Sequence, residues 1–423
     1  MNTPNSPVQG LSAGLPPAGS RLANQNRRRF LANTTTAALG ASLAVPHVFG
    51  EPAQKKVRLG VVGGNFGRNF FWHEHPDCTV AAVSDLRPAR REGLMKTYHC
   101  TRTYESLEKL VLDKNLDAVA IFTPAPDHVR HAVAALNAGK HVICAVPAAQ
   151  TLEDCQLLIE TVKRTGLTFM MAETSYYQQP TISARKFYQE GKFGKLFYVE
   201  SEYLHPGIEN LYFEQGKPTW RHGSPPMLYP THCTAHLISV SGERLTEVAC
   251  LGWGDDDPAH RQNAYHNPFW NETALFKTNR GNALRIANYR KGAVKGAERA
   301  YYYGDQMSFY AADPLGRPAM LVHAGKQTEK DDGGFTRANC DAEPYEQPLW
   351  WKTDLLPEPL RHDSGHAGSH TFLTHEFIDA LIHGRKPSVD VYEAVAYTAP
   401  GLVAHASALK GGERLTIPSF DPA

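Results

Sequence analysis

From residue 55 to about 175, short apolar runs alternate with longer amphipathic ones. The runs Val57–Val62, Val80–Val83, Ala118–Phe122, His141–Cys144 and Leu167–Met171 are apolar at nearly every position, as strands covered on both faces require. Between them, Asp127–Ala138 reads as a helix with Asp127 as N-cap and Gly139 as its stop, and Leu152–Arg164 as another after Thr151. Strands alternating with helices imply right-handed crossovers and an α/β fold with a doubly wound parallel sheet.

After residue 175 the periodicity changes. Gln178–Glu190 predicts one helix stopped by Gly191, and Lys195–Tyr203 alternates like a strand with one wet face. Glu247–Leu251, Asn271–Thr278 and Ala283–Tyr289 follow as strands among Gly- and Pro-rich loops, which predicts an open antiparallel sheet. Helices return at Thr371–Ile382 and Val391–Ala408, before a last short strand near 414–417. The division is therefore a leader at 1–50, a nucleotide-binding domain at 55–175 and a substrate-binding α/β domain at 176–423, with the C-terminal helices packing back on the first domain.

The leader opens with a Pro-, Gly- and Asn-rich stretch expected to be disordered. Asn26–Leu31 then carries three arginines before the mildly apolar run 32–45, which ends in Ser42-Leu43-Ala44. That order predicts a twin-arginine signal peptide, an exported or periplasmic protein, and no membrane span in its mature form.

Forty-four basic residues against forty-three acidic ones supply no field for gathering nucleic acid, so the expected partner is a small molecule. Seven cysteines with no C-x-x-C pair argue against a disulfide framework and a structural zinc site. His362, His366, His370 and His375 form a histidine-rich tail segment, but glycines and serines interrupt it and no acidic ligand has matching spacing, so no metal is expected.

The chemistry begins where the first strand breaks into Gly63-Gly64-Asn65-Phe66-Gly67. Glycines there let the backbone turn tightly against a pyrophosphate, and a helix should follow to aim its N–H groups at the phosphates. Asp85, at the end of the second strand, stands where a ribose-binding acid is expected. Asp85 favours NAD, whereas Arg87 beside it leaves NADP open.

Gly60-Val-Val-Gly-Gly64, Asp85, Thr123-Pro124 with His128, Ala138-Gly-Lys-His-Val142 and Pro147 together resemble the Gfo/Idh/MocA family of NAD(P)-dependent sugar oxidoreductases. Val146-Pro-Ala-Ala149, Met170-Met-Ala-Glu173 with Tyr177, Leu228-Tyr-Pro-Thr-His232 and Gly365-His366-x-Gly368 are similar to its exported branch of NAD-dependent α-N-acetylgalactosaminidases. The resemblance implies a Rossmann domain, a carbohydrate substrate, homo-oligomers, and Thr123, Pro124, His128 and Pro147 along the cofactor. It also implies His232 as general base with Tyr229 and Tyr177 assisting, and Glu173 and His366 as substrate contacts. Two departures stand out: Ala145-Val146-Pro147 replaces the usual Glu-Lys-Pro, removing the lysine, and Leu228 replaces an aspartate.

Export constrains the reaction, because no comparable nicotinamide pool exists outside the inner membrane. The cofactor must then be held and regenerated in place. A sugar oxidoreductase with two substrates satisfies this, as does a redox-neutral glycosidase that oxidises, eliminates, adds water and reduces. The lost lysine also admits a third reading, a catalytically inactive carbohydrate-binding protein.

Overall fold

The computed structural model describes residues 56–422 apart from 255, 256, 259, 260, 331, 332 and 335. Residues 1–50, where a twin-arginine signal peptide is expected, lie outside the described residues. Residues 54–423 form one compact unit.

Six strands make a parallel sheet in the order β3-β2-β1-β4-β5-β6: β1 (Val57–Val62), β2 (Cys78–Ser84), β3 (Thr103–Tyr104), β4 (Ala118–Ile121), β5 (His141–Cys144) and β6 (Phe169–Met171). The helices α1 (Pro88–Tyr98), α2 (Leu107–Leu110), α3 (His128–Asn137) and α4 (Leu152–Thr165) connect them. Strand order reverses between β1 and β4, so a ligand crevice opens at their carboxyl ends. Thr151 caps α4 as read, accepting from the Asp154 N–H at 3.0 Å, and Gly166 ends it in the left-handed region. Asp127, read as an N-cap, makes no cap to α3, because its carboxylate pairs with Arg130 at 3.1 Å.

The helix expected after the glycine loop is absent. A single 3₁₀ turn, Phe66–Asn69, takes its place, and the first full helix comes only after β2. Consecutive aromatics explain this, since Phe70-Phe71-Trp72 lacks the 3.6-residue spacing of a helix face. Phe70 and Trp72 are instead buried as a plug, with Phe70 stacked on Phe122 at 4.4 Å and on His370 at 4.8 Å.

Helix α5 (Gln179–Gln189) leads into the second sheet through β7 (Leu196–Leu204). A small hairpin, β8 (Phe213–Glu214) and β9 (Lys217–Pro218), precedes α6 (Thr231–Ser241). Then come β10 (Leu245–Trp253), β11 (Asn271–Thr278), β12 (Ala283–Tyr289), β13 (Ala297–Gly304), β14 (Met307–Tyr310), β15 (Met320–Lys330) and β16 (Thr336–Pro344). With β17 (Leu415–Thr416) they form nine strands in the order β16-β15-β14-β13-β7-β12-β11-β10-β17. The sheet is mixed rather than wholly antiparallel, because β7 and β12 run parallel.

Of the closing helices, α7 (Gly365–His383) lies against β1 of the parallel sheet and its aromatic plug, while α8 (Val391–Leu409) packs with α6 on one face of the mixed sheet. These helices also seal the first domain: Ala148 N–H donates to Thr398 Oγ1 at 3.3 Å, and Met171 N–H donates to the Val389 carbonyl at 3.0 Å. All seven cysteines are free, six of them buried. No helix among the described residues is long and apolar enough to cross a membrane.

Candidate active site

The glycine loop closes on the end of β4. A Cβ on Gly63, whose φ is +100°, would lie 2.3 Å from the Phe122 carbonyl oxygen, and one on Gly64 would lie 2.4 Å from that of Arg90. Only glycine fits either place. Gly64 N–H donates to Asp85 Oδ2 at 2.6 Å, and Arg87 N–H donates to Oδ1 at 2.8 Å. Asp85 thus holds the loop and borders a cavity of about 270 Å³ with Ser84, Thr123 and Pro124.

Those residues fit a dinucleotide. A carboxylate with lone pairs to spare stands where a ribose hydroxyl would donate, and Gly63 and Gly64 keep the turn of the loop free of side chains, with Asn65 next along the cavity. The Arg87 guanidinium is committed elsewhere, bidentate to Glu214 at 2.5 and 2.6 Å, which leaves Asp85 facing the place of the ribose.

A second cavity, about 400 Å³, continues from the first through Asn65, Arg90 and Pro124. Phe66, Thr123, His128, Ala145, Val146, Tyr203, Tyr229, His232 and His366 line it. Ala145 and Val146 form an apolar wall of this cavity. His128 is spent on the scaffold, its ring spanning the Pro147 carbonyl at 2.8 Å and the Thr123 carbonyl at 2.9 Å.

His232 sits in the first turn of α6 and is 4% exposed. Its Nδ1–H donates to Glu173 Oε1 at 2.7 Å, and Glu298 Oε1 lies 3.6 Å from the same nitrogen. Glu173, fully buried after β6, is itself fixed by the Ser175 N–H at 2.9 Å. Burial opposes charge on His232, but the two carboxylates outweigh it and hold the imidazole up to about 9. Glu298 arrives from β13 directly opposite Tyr203 on β7, and the Ser175 hydroxyl donates to it.

His366 is held in the opposite state. His370 Nδ1–H donates to the Asn69 carbonyl at 2.9 Å, so His370 Nε2 must accept. His366 Nδ1–H supplies that proton at 2.9 Å, which leaves its own Nε2 with a lone pair for a ligand. Burial lowers both rings, His370 to about 4, and keeps them neutral. The His366 and His232 rings stand 6.5 Å apart at the cavity.

A left-handed run at His366 (φ 52°), Ala367 (φ 55°) and Gly368 (φ 85°) turns the histidine into place, at the head of α7. A Cβ on Gly365 would meet the His370 ring at 2.4 Å. Gly365→Ala is therefore expected to displace His370, break the tautomer chain and lower kcat about tenfold to a hundredfold while bound NAD is retained. Steady-state rates and nucleotide content of the purified variant check it.

Tyr177 does not reach the cavity. It is buried against Phe372 at 5.4 Å, and its hydroxyl donates to Ser388 Oγ at 3.3 Å. The same start of a helix that suggested chemistry supplies packing, because α7 covers it. Tyr229 does line the cavity, and burial raises its phenol to about 12, so it is a neutral donor. Glu298 and Tyr203 are the contributors that sequence reasoning missed.

A parallel doubly wound sheet ending in a dinucleotide trough and an acid–base pocket defines a nucleotide-dependent oxidoreductase architecture. Residues 57–173 match the Gfo/Idh/MocA oxidoreductase family, NAD-binding Rossmann fold, and residues 322–422 match the C-terminal domain of glycosyl hydrolase 109. The nucleotide-binding part is thus of the Gfo/Idh/MocA oxidoreductase type, and the C-terminal part is similar to glycosyl hydrolase 109. A glycosyl hydrolase family 109 protein of Solibacter usitatus is 26% identical, with 93% of this chain and 97% of that one covered. Another, from Streptomyces coelicolor, is 25% identical over 87% of this chain and 84% of its own.

Among solved structures, scyllo-inositol dehydrogenase from Lactobacillus casei with bound NAD(H) and scyllo-inositol shares the fold at a TM-score of 0.62 and 16% identity, covering 86% of this chain and 99% of that one. An NAD-binding oxidoreductase from Klebsiella pneumoniae does so at 0.67 and 15%, covering 86% and 100%.

Proposed function

We propose that this protein oxidises a carbohydrate carbinol by hydride transfer, using NAD held in the trough. The observation that carries this reading is the pair of cavity histidines in opposite states, His232 held charged and His366 held neutral, at the end of a dinucleotide site. Groups whose surroundings push their pKa values apart divide acid and base roles.

Bound along Gly63, Gly64 and Asp85, NAD would supply a reversible hydride acceptor for the carbinol carbon. His366 Nε2 takes the hydroxyl proton at neutral pH. His232, backed by Glu173 and Glu298, donates from Nε2 to the oxygen as it becomes anionic. Tyr203 and Tyr229 offer aromatic surface with polar tips to a sugar ring. His232, expected from the sequence to be the base, serves here as the cationic partner.

The second reading is a redox-neutral glycosidase, favoured by the glycosyl hydrolase 109 match at 322–422 and by a glycosyl hydrolase 109 relative similar over 93% of the chain. A carbonyl next to the glycosidic linkage acidifies the neighbouring C–H, the leaving sugar departs, water adds, and the carbonyl is reduced again. The first step is common to both readings.

The test uses dialysed protein without added cofactor: a spectrum for bound nicotinamide, then nitrophenyl glycosides. Aglycone released over many turnovers establishes the glycosidase. Absorbance growing near 340 nm with free sugars establishes net oxidation, and neither signal would leave a carbohydrate-binding protein.

Export by the twin-arginine route belongs to the same proposal, supported by the order of residues 26–44 and by the need to retain a cofactor. A homo-oligomer is supported by Phe197, Leu251, Trp253 and Leu275, all more than two-fifths exposed on the nine-stranded sheet.

A further inference from the structure

Residues 208–221 form a short arm whose root and tip differ in packing. At the root, Ile208 and Tyr212 bury against Trp270, with the Tyr212 and Trp270 rings stacked at 5.4 Å. Thr219 ties the two sides together, its N–H donating to the Tyr212 carbonyl at 2.7 Å and its hydroxyl to that of Leu211 at 2.6 Å. The tip, the β8–β9 hairpin, is exposed on both strands.

That tip reaches the nucleotide domain through Glu214. The Arg87 guanidinium grips it with two bonds, and Arg90 lies 3.8 Å away. Among the described residues these are the only ion pairs between hairpin and nucleotide domain. Beneath lies a cleft of about 940 Å³, with Arg90, Pro124 and Asp127 on one side and Phe213, Glu214 and Trp220 on the other. Asn65, Arg90 and Pro124 border this cleft and also both the Asp85 and the His232 cavities, so the three are one trough.

We propose that the 208–221 arm is a strap across the cofactor site and that Arg87–Glu214 is its latch, retaining a nicotinamide dinucleotide between turnovers. The inference rests on NAD as the bound group. It assigns a use to a carboxylate that would otherwise be out of place, since Glu214 faces a trough meant for a dianionic diphosphate. As an obstacle to exit it slows dissociation, and affinity differences are carried mostly by dissociation rates.

The sign of one substitution tests the latch. If Glu214 merely sat near the diphosphate, Glu214→Ala would remove repulsion and slow the loss of nucleotide; a latch requires the reverse. Full-length protein is loaded with NAD, desalted and diluted, and the nucleotide remaining is quantified by chromatography against time. Glu214→Ala is expected to release NAD at least about threefold faster, the upper range for an exposed bidentate pair. In an Arg87→Met background the same change should add nothing.

Release at the parental rate or slower, or an undiminished effect in that background, overturns the latch while leaving NAD as cofactor. A parent that binds no nicotinamide nucleotide overturns both. Circular dichroism and melting of the variant confirm that the comparison is between folded proteins.

Discussion

Replacing His232 with alanine is expected to lower kcat/KM by about a thousandfold, the upper end of what one preorganised donor at a developing oxyanion supplies. The side chain lies at the cavity with its ring orientation fixed by Glu173 at 2.7 Å, which aims its Nε2 at the site. The loss should fall on kcat more than on KM, because the cation acts on charge that develops only during reaction. Bound NAD should be unaffected, since the glycine loop and Asp85 are separate from α6.

Alanine also strands Glu173, which is fully buried and would face an empty space without its cation. Breaking a buried pair in this way costs about 3–5 kcal/mol, enough to confuse a rate measurement with unfolding. The double variant His232→Ala with Glu173→Gln removes the orphaned charge. It should regain stability and none of the rate. Pre-steady-state hydride transfer, followed near 340 nm in both variants, checks the assignment; a rate within tenfold of the parent would remove His232 from the chemistry.

The first domain was legible because its strands are apolar throughout and its helices are punctuated by Thr151, Gly139 and Gly166. The Rossmann sheet follows from that punctuation with little help from tertiary contacts. The missing helix after Gly67 was not legible, because a glycine loop after a buried strand predicts one, and only the aromatic plug beneath α7 decides otherwise. Helix α6 escaped notice for a related reason: it is buried on nearly every side, so it has no polar face to set a period.

At the site, motif position placed His232, Tyr229 and His366 at one cavity; Glu173, expected as a substrate contact, instead lies buried behind His232 as its partner and does not line that cavity. Motif position also chose Tyr177, whose burial under Phe372 depends on a helix almost two hundred residues away in sequence. Glu298 could not be picked out among the charged residues of an alternating strand. Its neighbour Arg299 points to the other face, paired with Glu202 at 2.7 Å, and only the β7–β13 register separates the two fates.

Glu173→Gln should change the pH profile more than it changes geometry. The amide oxygen can still accept from Nδ1–H, but the larger of the two charges that favour the imidazolium is gone. Burial then pulls His232 down from about 9 toward or below the ordinary 6.5, with Glu298 alone opposing. In the parent, a charged His232 predicts activity that persists to alkaline pH and declines through about 9. In the variant that decline should move to near neutrality, so rates at pH 8 fall steeply while those near pH 5.5 converge.

If His232 were the resting base instead, the same substitution would free it earlier and raise activity at pH 7. The direction of the shift therefore separates the two roles. Stability carries a matching signature. His232 has a folded pKa raised above its unfolded one, so its contribution is complete below about 6.5 and is lost as pH rises through about 9. A shift of that size corresponds to about 3 kcal/mol at 1.36 kcal/mol per unit. Denaturant titrations at pH 6 and pH 9.5 should show that loss in the parent and a much flatter response in Glu173→Gln; equal slopes would mean the carboxylate does not hold the charge.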